Sequence, residues 1–162
     1  MGSFVKLSDT YHLRLAGERL TLYKRAGESY EHVLMKALGY AMFRPAYPTL
    51  EIERRIGLRY KPDLIALDAI QRIEFWGECG AVSFRKVAWL AKHSQAQRIV
   101  IFKFAQTLQA ISQWIQSLQT EVEPRYRPTR RLSLINFDTS VMNKVNKEIN
   151  EVPNTWYQSH EI

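Results

Sequence analysis

Two acidic residues flank a hairpin-like stretch, and their types and spacing suit the binding of a divalent cation. Asp63 precedes the apolar run Leu64–Leu67, and Glu78 follows a second apolar run at residues 73–76. Two short apolar runs joined by a polar connector are typical of a β-hairpin. Carboxylates brought together at the end of such a hairpin repel one another, so they favour a cation, a basic partner or a shared proton. Magnesium prefers oxygen ligands of this kind.

Whether the two acids meet depends on the connector at residues 68–72. Successive strand residues point to opposite faces, so a connector with an even number of residues puts Asp63 and Glu78 on one face of the sheet. An odd connector, or a bulge, sends them to opposite faces. We predict the even arrangement. In the alternative interpretation both acids are simply solvated at the rim of the sheet.

The residues around this pair resemble the motif of the PD-(D/E)XK nuclease superfamily. Pro62-Asp63 is followed fifteen residues later by Glu78-Cys79-Gly80, which resembles the variant of the motif found in the YaeQ-like branch, where glycine replaces the usual lysine. Residues 31–40 resemble the acidic first helix of that branch. The resemblance extends over residues 4–120.

The resemblance implies a metal-dependent nuclease that hydrolyses phosphodiester bonds in DNA or RNA. It implies that Asp63, Glu78 and the backbone carbonyl of Cys79 bind magnesium or manganese, together with Glu31 from the first helix. Glu31 has an alternative interpretation, since an acid in the first turn of a helix also complements the helix dipole.

A nuclease of this type also needs a catalytic lysine, and Gly80 has no side chain to supply it. Lys86 on the following helix is our candidate, with Arg85 second. The helical wheel points Lys86 away from the apolar face, so it can reach the acids only from the open end of the helix. The alternative function is a catalytically degenerate nuclease-fold module that binds nucleic acid or a protein partner.

The overall charge favours a polyanionic partner. The chain carries a net charge of +7, with a pI near 9.6, and such a balance is typical of nucleic-acid-binding proteins. Residues 125–131 hold four arginines and a tyrosine, a composition that suits contacts to phosphates and bases; the alternative is a flexible basic loop. The predicted nucleic-acid contacts are Arg85, Arg125, Arg127, Arg130 and Arg131.

Length and cysteine content indicate a broad class. A chain of 162 residues suits a single domain, here a nuclease-like one over residues 1–162. The single Cys79 excludes an internal disulfide and favours the cytoplasm; we interpret it as a packed strand residue. No apolar run is long enough to span a bilayer, so we expect no membrane association. The sequence does not determine the oligomeric state.

The elements that must position the acids follow from periodicity and caps. They predict an α/β fold with a restriction-endonuclease-like three-layer core, in which a mixed central sheet has helices on both faces, plus an N-terminal β-hairpin. Residues 151–162 are predicted to form a less ordered tail. The predicted strands are residues 4–15, 19–24, 64–67, 73–76, 98–104 and 132–137, and the predicted helices are residues 30–43, 83–93, 105–118 and 139–150.

Overall fold

The computed structural model describes residues 5–7 and 10–162, which form three α-helices and two mixed sheets. Residues 4, 8 and 9 of the first predicted strand lie outside this described part. Among the described residues no helix has the length and apolar character needed to cross a membrane. The helices are α1 (Tyr30–Phe43), α2 (Phe84–His93) and α3 (Leu108–Glu121). The strands are β1 (Val5–Leu7), β2 (Thr10–Leu15), β3 (Glu18–Tyr23), β4 (Glu51–Ile52), β5 (Leu64–Leu67), β6 (Ile73–Cys79), β7 (Arg98–Phe104), β8 (Leu132–Phe137), β9 (Glu148–Ile149) and β10 (Tyr157–Glu161).

The larger sheet has six strands in the order β10-β8-β7-β6-β5-β4. Strands β6, β7 and β8 are parallel, whereas β4, β5 and β10 each pair antiparallel with their neighbours. The carboxyl ends of the parallel strands therefore lie next to the start of β5, at one end of the strands. We call this the carboxylate edge, because Asp63 and Glu78 lie there.

Helices cover both faces of this sheet, as the sequence predicts. On one face α1 packs against Leu64, Phe75 and Phe102, and the smaller sheet of β1, β2, β3 and β9 closes over the same core. On the other face α2 and α3 pack against the strand residues whose side chains point the opposite way, such as Ile65 and Ile101. Because α1 lies between two sheets, it is buried on nearly every side.

The connector between β5 and β6 differs from the predicted even one. It has an odd number of residues, 68–72, but β6 also contains a bulge, since Ala66 pairs with Phe75 while Leu67 pairs with Ile73. Each feature alone would turn Asp63 and Glu78 to opposite faces. Together they restore the register as far as Leu64 and Gly77, but Asp63 N–H donates to the Gly77 carbonyl at 3.2 Å, so the regular pairing ends there. The Asp63 side chain contacts His32 of α1 and that of Glu78 contacts Lys86 of α2, on opposite faces of the sheet, so both the even connector and the shared face are wrong.

The predicted last helix, residues 139–150, is wrong. The chain instead forms a 3₁₀ helix at Thr139–Asn143 and then the short strand β9, which pairs parallel with β2. Pairing with β2 satisfies backbone groups that a helix would satisfy internally: Arg14 N–H donates to the Lys147 carbonyl at 2.8 Å. Tertiary strand pairing therefore overrides the local helical pattern here.

The predicted less ordered tail also differs from the structure. Strand β10, Tyr157–Glu161, pairs antiparallel along the length of β8, and Ile162 is buried in the core beneath α2 and α3. The free edge of β8 supplies hydrogen-bond partners for this segment, and this pairing orders residues after Pro153.

Candidate functional site

Glu78 is a buried carboxylate at the end of β6 with both of its oxygens engaged. Oε1 accepts a hydrogen bond from Trp76 Nε1 at 2.8 Å, and Oε2 accepts one from Lys86 Nζ at 2.9 Å. Burial and the charge of Asp63 raise the pKa of Glu78, and the Lys86 ammonium opposes that rise. The Lys86 ammonium therefore favours the charged form of Glu78, which burial disfavours.

Lys86 reaches Glu78 because α2 begins just after β6 ends. The Ser83 side chain caps the helix by accepting from Lys86 N–H at 3.1 Å, which fixes the first turn at the carboxylate edge. The predicted solvent-facing orientation is therefore wrong: the Lys86 side chain is only 23% exposed and extends back along the sheet to Glu78. Lys86 reaches Glu78 from the open N-terminal end of α2, as the sequence analysis required of any contact between them.

Asp63 lies at the start of β5 and is bound by two donors at a single oxygen. Its Oδ2 accepts from Cys79 N–H at 2.8 Å and lies 3.4 Å from His32 Nε2. Burial works to raise the pKa of Asp63, but the His32 contact and the backbone hydrogen bond outweigh it and lower the pKa below its usual value. Asp63 is therefore a stable carboxylate at neutral pH.

The two acids share one edge of the sheet, yet each has its own cationic partner. Asp63 is approached from α1 by His32, and Glu78 is approached from α2 by Lys86. Their charges interact, because Asp63 contributes to the raised pKa of Glu78. The arrangement is thus an alternating cluster of two carboxylates, an imidazole and an ammonium.

The acid predicted from the first helix, Glu31, is exposed, whereas the described contacts to Asp63 from α1 come from His32. Behind His32 lies Glu28, which hydrogen-bonds His32 Nδ1 and accepts from Lys36 Nζ at 2.5 Å. Glu28 precedes the helix cap Ser29, so it lies outside the helical stripe on which the prediction relied. The turn of α1 that Asp63 approaches is set by tertiary packing, so the sequence alone does not identify His32 as its contact.

Replacing His32 with glutamine should lower stability in a pH-dependent way. Burial works to lower the pKa of His32, but the carboxylates of Asp63 and Glu28 outweigh it and raise the pKa above 6.5. The imidazolium therefore stabilises the fold fully below about pH 6.5, and this contribution is lost as pH rises through the raised folded-state pKa. We expect a loss of about 1–2 kcal/mol at low pH that shrinks at high pH.

Urea unfolding of wild type and His32→Gln between about pH 6 and 9 measures this effect. His12→Gln is the matched control, since His12 is exposed and its ring bonds only the Thr21 hydroxyl among the described residues. A free-energy difference that stays constant over the whole pH range would contradict the assignment of a bridging imidazolium.

Lys103 supplies a second ammonium at this edge that sequence analysis missed. Its Nζ donates to the Gly80 carbonyl at 2.9 Å and lies 4.8 Å from the centre of the Trp114 ring. Burial lowers the pKa of Lys103. Gly80 has φ of +85°, a conformation that suits glycine and disfavours lysine. The neighbouring strand β7, rather than the motif position itself, therefore brings a lysine to Gly80.

A cleft of about 600 Å³ opens beside Asp63 and is lined by basic side chains and by the acids Glu28, Glu53 and Asp63. Its lining includes Asp63 and His32 together with Arg25, Arg55 and Lys61. Arg55 and Lys61 belong to the segment between β4 and β5. The structure folds that segment over the carboxylate edge, so its cations lie where a phosphate could contact them.

The predicted nucleic-acid loop at residues 125–131 lies at the opposite end of the parallel strands. It leads into β8, whose first residue Leu132 pairs with Ile99, whereas Glu78 pairs with Ile101 nearer the carboxylate edge. Arg131 donates to the carbonyls of Ala91, Ala96 and Tyr126, and Arg127 donates to that of Val122. These two arginines are therefore structural. Arg125 and Arg130 are exposed, as is Arg85 at the start of α2.

Two further observations bear on metal binding. Cys79 is buried and packed in β6, as expected, and burial raises the pKa of its thiol. Over residues 5–7 and 10–162, no group of three or more His, Cys, Asp or Glu side chains is arranged to hold a metal ion. The candidate ligands are thus the Asp63 and Glu78 pair, with backbone oxygens.

Comparison with known proteins establishes the family. The model of the family described as YaeQ protein matches residues 3–155. This chain belongs to the YaeQ family. No curated protein matches the sequence significantly.

Solved structures of YaeQ proteins share the fold. The YaeQ protein from Xanthomonas axonopodis pv. citri has a TM-score of 0.64 at 16% identity, with 96% of each chain covered. The YaeQ protein from Pseudomonas syringae has a TM-score of 0.57 at 14% identity, covering 89% of this chain and 82% of the other. At these identities the likeness concerns the fold and leaves the chemistry to be argued from this YaeQ protein's own residues.

Proposed function

We propose that this YaeQ protein is a magnesium-dependent phosphodiesterase of the PD-(D/E)XK nuclease type, with a restriction-endonuclease-like core and nucleic acid as its substrate. One observation carries the proposal: Asp63 and Glu78 lie together at one sheet edge with the Lys86 ammonium 2.9 Å from Glu78. Two carboxylates and a lysine are the groups that metal-assisted phosphoryl chemistry uses.

The residues present fit a magnesium ion. Magnesium is usually held by one or two carboxylates and completes its coordination with waters and substrate phosphate. Among the described residues the partners of Asp63 contact only Oδ2, which leaves Oδ1 available to a cation. Glu78 and the Cys79 carbonyl are the other proposed ligands, and manganese suits the same oxygens. A bound ion would polarise a phosphoryl oxygen and lower the pKa of a nearby water.

The protein's own cations account for the remaining chemistry. Lys86, held at Glu78 Oε2, is placed to stabilise negative charge developing on a phosphate at the carboxylate edge. Lys103, held at the Gly80 carbonyl, adds a second positive charge in a partly dehydrated environment. Arg25, Arg55 and Lys61 around the cleft are proposed phosphate contacts, in keeping with the net charge of +7. We place the protein in the cytoplasm, where a lone thiol such as Cys79 stays reduced.

The variant Lys86→Met tests metal binding and catalysis separately. Removing the ammonium leaves both carboxylates in place, so millimolar magnesium should raise the melting temperature of this variant at least as much as that of wild type. Cleavage of single-stranded, duplex and RNA substrates should fall by roughly 10²-fold, because charge stabilisation is lost. Lys144→Met, at an exposed position after the 3₁₀ helix Thr139–Asn143, should leave both readouts unchanged. A wild-type protein that neither gains stability with magnesium nor cleaves any substrate would overturn the proposal.

One observation favours the second candidate, a nuclease-fold module that binds nucleic acid without cleaving it. Each carboxylate already has a cationic partner within the protein, His32 for Asp63 and Lys86 for Glu78. Internal pairing of this kind neutralises the pair without a metal. Nucleic-acid binding that needs no magnesium and is never followed by cleavage would establish this second function.

A further inference from the structure

A row of aromatic and cationic side chains leads away from Glu78 along α2. It begins at Lys86, whose Nζ also lies 5.2 Å from the centre of the Tyr60 ring. The Tyr60 ring lies 5.3 Å from that of Trp89, and Trp89 lies 5.5 Å from His93. Lys86, Trp89 and His93 are spaced at i, i+3 and i+7, so they share one face of the helix. We call Tyr60, Lys86, Trp89 and His93 the aromatic row.

Positive charge accompanies this row. The Arg59 guanidinium lies 5.4 Å from the centre of the Tyr60 ring. Arg85 and Lys92 are both exposed on α2, and they lie seven residues apart, so they form a second line beside the row. Among the described residues no ion pair involves Arg59, Arg85 or Lys92. Their charge is therefore available to an anionic ligand.

The row ends at a second cleft, at the end of the sheet opposite the carboxylate edge. This cleft encloses about 820 Å³, and its described lining includes Arg54, Arg55, Arg72 and His93 but no aspartate or glutamate. Arg54 and Arg72 take part in ion pairs with Glu51 and Asp68, in which both arginine side chains are substantially exposed. Exposed pairs of this kind are weak, so the cleft retains a positive character.

We infer that the aromatic row and this second cleft bind a single-stranded polynucleotide, whose strand runs from Glu78 along α2. The inference rests on the proposed function, which identifies the carboxylate edge as the place of hydrolysis. It adds that the substrate is single-stranded. Aromatic rings stack on unpaired bases, while interleaved cations follow the phosphates; this combination is typical of sequence-tolerant single-strand binding. Duplex bases are already stacked on one another, so a duplex offers these rings no free base faces.

The row is also placed to align the strand with the chemistry. Lys86 belongs both to the row, through Tyr60, and to the carboxylate edge, through Glu78. A base stacked on Tyr60 would therefore hold the adjacent phosphate near the two carboxylates. Tyr60 and Trp89 are each partly buried against the core of α2 and α3. Their side chains therefore lose little conformational entropy when a ligand binds.

Binding in the absence of metal tests the inference independently of cleavage. Fluorescence anisotropy with labelled twelve-nucleotide oligo(dT), oligo(rU) and a twelve-base-pair duplex is measured in EDTA. We expect both single strands to bind more tightly than the duplex. Trp89→Leu and Tyr60→Leu should each weaken single-strand binding about tenfold, the loss typical of one stacked base. Arg59→Gln should lower the slope of log affinity against log salt by about 0.7.

The matched control is Trp156→Leu, because Trp156 is also partly buried but packs against the other core, beside α1. It should bind single strands as the wild type does, and a thermal melt verifies that every variant is folded. The inference is overturned if the duplex binds as tightly as the single strands, or if neither Trp89→Leu nor Tyr60→Leu weakens binding. Single-strand binding without magnesium-dependent cleavage would reject the proposed function alone, whereas cleavage without this binding preference would reject the aromatic row alone.

Discussion

Replacing Glu78 with glutamine should abolish magnesium-dependent cleavage while leaving the fold intact or slightly more stable. Glutamine keeps the shape, and its single oxygen can accept from either Trp76 or Lys86, but it removes the charge that the proposed ion needs. We expect a loss of roughly 10²–10³-fold or more in the rate of phosphodiester hydrolysis. The same change should remove most of the magnesium-induced rise in melting temperature.

The stability expectation follows from the sign of the pKa shift. Burial and the charge of Asp63 raise the pKa of Glu78, so the folded state disfavours the ionised carboxylate relative to the unfolded chain. At neutral pH, above the ordinary pKa, that ionised form opposes folding. A neutral isostere should therefore raise the free energy of unfolding slightly. If the charge of Glu78 instead favoured folding, the same substitution would lower it.

Glu31→Gln is the matched control, since it removes one acid of the same type from an exposed position on α1. It should leave hydrolysis and the magnesium response unchanged. Rates for purified Glu78→Gln equal to wild type, measured with the best substrate, would show that the hydrolysis arises elsewhere. A fall in melting temperature of many degrees would contradict the direction assigned to the pKa of Glu78.

Replacing Lys36 with methionine should have the largest effect on stability. Lys36 is 1% exposed, and its Nζ lies 2.5 Å from Glu28 Oε2 and 2.6 Å from Glu53 Oε1. Burial works to lower the pKa of Lys36, but the two carboxylates outweigh it and raise the pKa above its usual value. Methionine would leave two poorly solvated carboxylates without their cation. Breaking a buried ion pair from one side costs about 3–5 kcal/mol.

Urea unfolding at neutral pH measures this loss. Lys144→Met removes an exposed lysine and should change stability by less than about 0.5 kcal/mol. Adding Glu53→Gln to Lys36→Met should restore part of the loss, because one uncompensated charge is removed. A cost below about 1 kcal/mol for Lys36→Met would mean that water, rather than the ammonium, solvates these carboxylates.

The ion pairs of Lys36 also connect the carboxylate edge to residues further along α1 and after β4. Glu28 contacts both Lys36 and His32, and His32 contacts Asp63. A chain of alternating charges thus extends from Glu53 to the carboxylate edge. Its members come from α1, from the loop before it and from the segment after β4, which explains why no single element contains the complete site.

Local sequence patterns determined most of the elements. The apolar runs of β5, β7 and β8 and the 3.6-residue periodicity of α1 depend on neighbours a few residues away, so they were predicted with correct bounds. The cap of α2 is equally local, since the Ser83 hydroxyl accepts from the backbone N–H three residues on. The sequence also places Asp63 and Glu78 at the same end of the β5–β6 hairpin, but the even connector and the shared face that it predicts are wrong.

Only the tertiary structure decided which side chains meet at the site. Neither the odd connector nor the bulge in β6 is encoded by apolar periodicity. His32 and Lys103 reach the edge from distant parts of the chain, while Glu31 is left exposed by the direction in which α1 packs. The arginines at residues 125–131 lie at the far end of the parallel strands. Register and packing are set by contacts between distant residues, and those contacts leave no short-range pattern in the sequence.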